Sequence, residues 1–192
     1  MTYPITIVDN FFEDPDGIVE QAMELRFYTP NSGNWPGTRT KSLHVEQPRF
    51  FSHFGQKLHL LHYESAPEYW NLQCHYQLIH PFAEDKYSKK NRGWVHKDID
   101  TWFGGIVYLS KDPEPDTGTS IFRVKRGFSH QTAEEIEQKE ALYRSEKVDD
   151  LEYEKAYDTM RDQFEETVTI ENVYNRFVMF NGNTHHGVQT FG

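Results

Sequence analysis

Short apolar segments, separated by turns rich in Pro, Gly and Asn, run through most of this 192-residue chain. These segments are residues 5–8, 72–78, 103–109, 119–124 and 177–180. Short runs of β-branched and aromatic residues between turn signals are typical of strands. Many short strands with few helices predict a mainly β fold, and both a β-sandwich and a jelly roll are compatible with the pattern. A helix is expected at residues 16–26, after the start signal Asp14-Pro15.

One segment, residues 131–171, differs from its flanks because it carries 14 acidic and 5 basic residues. Large apolar side chains recur in it at the spacing of one helical face, at Tyr153, Tyr157, Met160 and Phe164. The pattern predicts an acidic helical insertion that packs its aromatic stripe on a single domain spanning residues 1–192. A partner-binding face is the alternative interpretation of that stripe.

Composition argues against several classes of protein. The single cysteine, Cys74, leaves no disulfide framework and no thiolate zinc site. A mean hydropathy of -0.80 and the lack of an apolar run near ~18 residues argue against a membrane protein. A net charge of -10 argues against non-specific binding to nucleic acid. Because the N-terminus has no basic patch followed by an apolar stretch, we expect a cytoplasmic protein.

Two potential metal ligands, His96 and Asp98, stand two residues apart. On a strand, side chains at i and i+2 point to the same face, so this imidazole and this carboxylate can bind one ion from the same side. The apolar run 103–109 follows closely. The pair is therefore expected at the mouth of a core strand.

A third ligand is available where the last apolar strand ends, because His185 and His186 follow the turn Asn181-Gly182-Asn183. Two histidines and one carboxylate form the facial triad that binds non-haem Fe(II) and leaves coordination positions open. The spacing alone does not decide between the two adjacent histidines.

Five short segments occur in a characteristic order along the chain. They are His96-Lys97-Asp98, Gly105-Ile106-Val107-Tyr108-Leu109-Ser110, Gly118-Thr119-Ser120-Ile121-Phe122, Arg176-Phe177-Val178-Met179-Phe180 and His186-Gly187-Val188. Together they resemble the landmarks of the Fe(II)/2-oxoglutarate-dependent dioxygenases, above all the prolyl-hydroxylase-like branch and its bacterial and phage relatives. The resemblance spans nearly the whole chain apart from the acidic insertion. It implies a double-stranded β-helix, or jelly roll, with flanking helices.

The resemblance also implies roles for individual residues. His96, Asp98 and His186 would be the iron ligands, with His186 preferred to His185 because the ligand in that family is followed by one residue and then Val. Tyr108 would hydrogen-bond the remote carboxylate of 2-oxoglutarate, and His80 would lie near this co-substrate.

The implied reaction is hydroxylation of a C–H bond in a protein or small-molecule substrate. The expected cofactor is Fe(II), with 2-oxoglutarate and O₂ as co-substrates and ascorbate as an accessory reductant. If the chain is of phage origin, the expected location is the host cytoplasm.

The sequence departs from the family pattern at the position of the basic residue that pairs with the 2-oxoglutarate carboxylate. Members usually carry an Arg or Lys roughly ten residues after the last His ligand, where it can bind a carboxylate bidentately. The sequence reaches Gly192 without one, which predicts either a longer natural product or a different cation. The candidate cations are Arg39, Arg92, Lys111 and Arg123.

The substrate pocket and the function leave further alternatives open. The loop 31–39, with Trp35 and Arg39, and the aromatic residues Trp94 and Trp102 are candidates for shaping a pocket. One rival function is a jelly-roll binding module whose metal site is structural or vestigial. The other is a metal-dependent hydrolase that uses the same three ligands, which would need a general base near the metal.

Overall fold

Two three-stranded antiparallel sheets form the centre of the protein in the computed structural model, which describes residues 5–29, 35–62, 71–125 and 130–191. The first sheet has the strand order β1 (Ile5–Val8), β7 (Arg176–Asn181) and β4 (Phe103–Tyr108). The second has the order β6 (Phe164–Ile170), β5 (Thr119–Val124) and β8 (His185–Val188). A separate pair joins β2 (Thr38–Arg39) to β3 (Gln77–Leu78).

Helices flank these sheets. They are α1 (Pro15–Met23), α2 (Leu43–Glu46), α3 (Pro48–His62), α4 (Ala133–Tyr143) and α5 (Asp150–Arg161), with a 3-10 turn at Lys89–Asn91. Helices hold more of the described residues than strands do, so the fold is mixed α and β rather than mainly β as expected. The sheets do not close into a barrel. None of the helices in the described ranges has both the length and the apolar character needed to cross a membrane.

Apolar side chains from both sheets meet between them in what we term the inner cluster. Its buried members are Tyr108, Ile121, Ile170, Val178 and Phe180. Strand β7 shows the alternation that places them there, because Val178 and Phe180 face the inner cluster while Phe177 and Met179 pack with Leu58 of α3. The order across the molecule is therefore helix α3, first sheet, second sheet, and then α4 with α5.

The opposite face of the second sheet carries a larger group, which we term the outer aromatic cluster. Its buried members are Trp94, Val95, Phe122, Leu142, Tyr143, Tyr153, Ala156, Tyr157, Met160 and Phe164. The aromatic stripe of the acidic segment thus packs on the sheet. Trp94, a candidate for shaping a substrate pocket, is instead 1% exposed here and donates a hydrogen bond from Nε1 to the Tyr153 hydroxyl at 2.9 Å.

The acidic segment is only partly helical. Helices α4 and α5 lie within it, but its last part, β6, is a strand at the edge of the second sheet. All five residues between Phe164 and Ile170 are exposed, including Glu165 and Glu166. Charged residues are common on edge strands because they hinder pairing with other chains. The acidic composition of this stretch therefore reflects an exposed strand, and the helical expectation for residues 164–171 is wrong.

Two other expected elements differ in extent. Of the predicted strand 72–78, only Gln77–Leu78 pairs as a strand, with β2. The predicted helix 16–26 runs instead from Pro15 to Met23, with the Asp14 side chain accepting a hydrogen bond from the Gly17 amide.

Candidate metal centre

His96, Asp98 and His186 converge at one edge of the two sheets. One ligand atom from each residue lies within 4.8 Å of the other two. The Asp98 carboxylate is 3.8 Å from His96 Nε2 through one oxygen and 3.7 Å from His186 Nε2 through the other. The two imidazole centroids are 4.3 Å apart. The three groups are thus close enough to bind one metal ion, and no other such group of three occurs among the described residues.

Backbone pairing brings the two histidines together although they are distant in sequence. The His96 amide donates to the His186 carbonyl at 2.9 Å, and the His186 amide donates to the His96 carbonyl at 3.0 Å. The residues around His96 therefore continue the second sheet beyond β8. Because the ladder sets the spacing of the two backbones, the ligand pair is preorganised by the fold.

Hydrogen bonds leave the Nε2 atom of each histidine available. The Nδ1 atom of His96 is 2.8 Å from the Trp94 carbonyl, and that of His186 is 3.0 Å from the Thr184 carbonyl. A carbonyl oxygen only accepts, so Nδ1 carries the proton in each neutral ring and Nε2 keeps its lone pair. Metal-bound histidines commonly donate their second ring nitrogen in this way.

The electrostatics of His186 suit a neutral ligand. Its side chain is 8% exposed, and its ring packs against Phe180 with the centroids 4.2 Å apart. Burial, followed by the nearby His96, lowers the pKa of His186 to about 4. The ring is therefore uncharged at neutral pH, the form in which imidazole binds metals.

Glycines make room for the Asp98 carboxylate and its loop. A Cβ atom at Gly104 of β4 would lie 2.6 Å from Asp98 Oδ2, so any larger residue would displace the carboxylate. A Cβ atom at Gly182 would lie 1.9 Å from the Thr101 carbonyl oxygen. Gly182 instead accepts a hydrogen bond from the Asp98 amide at 3.0 Å, which ties the turn before β8 to the Asp98 loop.

Strand alternation separates His186 from its neighbour His185. His186 pairs with Ile121 of the inner cluster, whereas His185 pairs with Phe122 of the outer aromatic cluster. The His185 ring lies against Phe164 with the centroids 5.0 Å apart. His185 therefore points away from Asp98, to the other face of the sheet.

The two residues expected near a co-substrate lie in different environments. The Tyr108 hydroxyl is buried and lies 2.7 Å from Thr119 Oγ1, within the inner cluster. Burial raises the pKa of Tyr108, while the bond to Thr119 opposes that shift. His80 is exposed, two residues beyond β3, and is not part of the ligand group.

Among the four candidate cations, Arg39 is set apart by its surroundings. Lys111 forms an ion pair with Asp16 at 3.0 Å, and Arg123 forms one with Glu165 at 2.7 Å, while Arg92 is exposed. The Arg39 side chain is half-buried, and Asp98 is the acidic group whose charge acts on it. Of the loop 31–39 expected to shape a pocket, residues 31–34 lie outside the described ranges, whereas Trp35 stacks on Arg39 at 4.4 Å.

No sequence pattern predicts the contact partner of Arg39. The Arg39 Nε donates to Gln77 Oε1 at 2.7 Å across the β2–β3 pair. Both strands have only two residues, too short for a periodic pattern to reveal their pairing.

Fold and site together define a protein of mixed helices and antiparallel sheets with a candidate two-histidine, one-carboxylate metal centre. Over residues 1–189 the chain belongs to the family described as "Family of unknown function (DUF6445)". No curated protein matches the chain.

Proposed function

We propose that this protein is an Fe(II)- and 2-oxoglutarate-dependent dioxygenase that hydroxylates a C–H bond in a protein or small-molecule substrate. The observation that carries the proposal is the convergence of two imidazoles and one carboxylate at His96, His186 and Asp98. This donor set suits Fe(II) and leaves positions open for other ligands. Two facing antiparallel sheets with the triad at one edge support the finer assignment of the fold as a jelly roll.

Some groups of the site would bind the metal ion, and others orient the ligand side chains. His96 and His186 offer Nε2, and the carbonyls of Trp94 and Thr184 hold both rings in place. Asp98 adds a negatively charged oxygen ligand. Bound Fe(II) would supply the one-electron and O₂ chemistry that protein side chains lack.

Apolar groups border the triad on the side of the inner cluster. The inner cluster, which reaches it through Phe180, keeps water from that side of the site. Just after Asp98 in the chain, Ile99 is 78% exposed and Trp102 is 42% exposed. These two side chains offer an apolar surface for the carbon group that is to be hydroxylated.

The proposal is tested by succinate formation from 2-oxoglutarate with Fe(II), ascorbate and O₂. Slow turnover is expected even without the true substrate, because uncoupled turnover needs only the metal, the co-substrate and O₂. His186→Ala should abolish both Fe(II) binding and turnover. The matched control is His185→Ala, which removes the neighbouring ring from the other face of the sheet and should leave both intact.

Two results would contradict the proposal. Succinate formation no greater than in a His96→Ala control would favour the binding module with a structural or vestigial metal site. Metal-dependent hydrolysis that persists without O₂ would favour the hydrolase.

A further inference from the structure

Three extended segments around β2 place cations and aromatic rings on one face of a small sheet. Tyr28 and Arg39 exchange backbone hydrogen bonds of 2.8 Å and 3.0 Å, and Arg39 also pairs with Gln77 of β3. Side chains of directly opposed residues lie on the same face of an antiparallel sheet, so these three residues form one row across it. The hydrogen bond from Arg39 Nε to Gln77 Oε1, at 2.7 Å, agrees with this placement.

Each aromatic ring of this face packs against at least one cation. The centre of the Trp35 ring lies 4.4 Å from Arg39 Cζ. The centre of the Tyr28 ring lies 4.9 Å from Arg26 Cζ and 5.8 Å from Lys41 Nζ. Aromatic rings attract cations placed over them, which helps to hold the three charges on one side of the sheet. We term Arg26, Tyr28, Trp35, Arg39 and Lys41 the basic face.

The three cations of the basic face form no ion pair with any residue that the structure describes. Cations elsewhere in the protein do form such pairs, for example Lys89, Arg123 and Arg176. The sequence explains the difference, because residues 26–41 and 71–83, which include β2 and β3, contain no Asp or Glu. The chain as a whole has a net charge of -10. A group of unpaired cations is therefore exceptional in this molecule.

The cations of the basic face are also open to a ligand. Arg26 and Lys41 are exposed, and Arg39 is half-buried. Gln77 accepts a hydrogen bond from Nε of Arg39, whereas the two terminal nitrogens of Arg39 have no hydrogen-bond partner within the described ranges and reach solvent. Such a planar pair of donors matches the geometry of a carboxylate.

The spacing of two of the cations indicates what kind of ligand fits them. Arg39 and Lys41 are two residues apart, and the Thr40 amide between them donates to the Tyr76 carbonyl at 3.0 Å, which continues the pairing of β2. Residues two apart on an extended chain are separated by about 6.6 Å. Acidic residues at alternate positions of an extended peptide have the same separation. Two carboxylates of such a peptide can therefore reach both cations at once.

Single-stranded nucleic acid also carries regularly spaced negative charges. It binds proteins largely by stacking its bases on aromatic rings as well as through its phosphates. The two rings of the basic face already pack against cations, which leaves less ring surface for bases. The arrangement therefore favours an acidic peptide over a nucleic acid.

We propose that the basic face binds an extended acidic segment of a partner protein, with carboxylates at alternate positions. One carboxylate accepts hydrogen bonds from the terminal nitrogens of Arg39, and the next pairs with Lys41. Arg26 adds a third positive charge beside the segment. This interaction does not depend on the reaction at the metal centre, so its test needs neither a metal ion nor turnover.

The test compares two fluorescently labelled peptides of identical composition, with both termini capped, by fluorescence anisotropy at low ionic strength. The first alternates Ser and Glu, and the second carries the same residues with the glutamates in adjacent pairs. A labelled oligothymidylate of similar length and free glutamate, added as a competitor, represent other anions. Wild type is compared with Arg39→Gln, Arg39→Lys, Lys41→Gln and the matched control Arg123→Gln, which removes the same charge from an arginine paired with Glu165.

Wild type and Arg123→Gln should bind the alternating peptide more tightly than the paired peptide or the oligothymidylate. Arg39→Gln should weaken binding of the alternating peptide about 10–100-fold, the range for hydrogen bonds to a charged group. Arg39→Lys should fall between wild type and Arg39→Gln, because lysine keeps the charge and loses the paired geometry. Lys41→Gln should weaken binding about 2–5-fold, as expected for an exposed ion pair.

The exposed position of Lys41 keeps the test valid even if loss of the bond between Arg39 and Gln77 disturbs the fold of Arg39→Gln. Equal losses in Arg39→Gln and Arg123→Gln would mean a general effect of charge and would overturn the proposal. Equal affinity of wild type for the two peptides would overturn it as well. Tighter binding of the oligothymidylate would identify a nucleic-acid site instead. Complete displacement of the peptide by an equal concentration of free glutamate would identify a site for a single anion, again overturning the proposal.

Discussion

The two faces of the second sheet are formed by the same strands but have different roles. The outer face carries the outer aromatic cluster under α4 and α5, where the largest buried side chains lie. The inner face carries the smaller inner cluster and, at its edge, the candidate metal centre. Adjacent residues of β8 make the contrast plain, since His185 faces the outer cluster and His186 faces Asp98. Stability should therefore depend mainly on one face and metal binding on the other.

The sharpest test of this separation is Tyr153→Ala on the outer face. Tyr153 is 0% exposed, and truncating a large buried aromatic side chain typically costs about 3–5 kcal/mol of unfolding free energy. Urea denaturation should show this loss, while the folded fraction should bind Mn(II) with wild-type affinity. Tyr153→Phe, which removes only the acceptor of the Trp94 hydrogen bond, should cost about 1–3 kcal/mol. A large loss of metal affinity in either variant would show that the faces are coupled.

Alkaline pH should lower the stability of the protein through its buried tyrosines, three of which belong to the outer face. Burial raises the pKa of Tyr143, Tyr153 and Tyr157, whereas in the unfolded chain a tyrosine titrates near its usual value of about 10. Below about pH 10 both states keep these protons, and the stability is fully present. Above it the unfolded chain releases protons that the folded chain retains, so stability falls by up to ~1.4 kcal/mol per pH unit for each tyrosine.

Denaturation curves on either side of about pH 10 measure that slope. The matched variant is Tyr143→Phe, which should make the slope shallower because it removes one of the three buried phenols. An unchanged slope in this variant would mean that other groups govern the alkaline transition.

On the inner face, Asp98→Asn should weaken metal binding with little change in stability. The amide oxygen of asparagine carries no charge. Removing a hydrogen-bond partner of a metal ligand typically lowers metal affinity ~10–100-fold, and removing the charge of the ligand itself should lower it at least as much. Stability should change little because the Asp98 side chain is 35% exposed. The control is Asp100→Asn in the same loop, where the left-handed backbone, with a φ of 63°, also suits asparagine. Equal losses of Mn(II) affinity in both variants would argue against Asp98 as a ligand.

The smallest effect is expected at the start of α5. The Asp149 side chain accepts hydrogen bonds from the Leu151 and Glu152 amides, both at 3.0 Å. Asp149→Ala should lower the unfolding free energy by about 1 kcal/mol, as is usual for loss of an N-cap. Mn(II) affinity should not change. A measurable drop in that affinity would mean that α5 influences the inner face through the sheet.

Local patterns predicted the three residues of the candidate metal centre better than they predicted the overall fold. The i, i+2 spacing of His96 and Asp98 and the strand leading to His186 are short-range signals, and the structure brings these three residues together. The helical segment at α3 was missed although Phe50, Phe54 and Leu58 recur every four residues there.

Other features depend on contacts that no local pattern encodes. The glutamates of β6 follow an acidic helix in sequence, and only pairing with β5 makes that stretch a strand. The contact of Arg39 with Gln77 likewise depends on the pairing of β2 with β3, two strands of only two residues each. Sequence spacing ranked Arg39 equally with three other cations.

The backbone ladder between His96 and His186 has a consequence for folding. These residues are almost half the chain apart, so an ion bound by both would act as a cross-link that only the folded protein can form. Such an ion at 1,000 times its dissociation constant would add about 4.1 kcal/mol to the unfolding free energy. A melting temperature that rises with metal concentration would then report occupancy directly, whatever reaction the site performs.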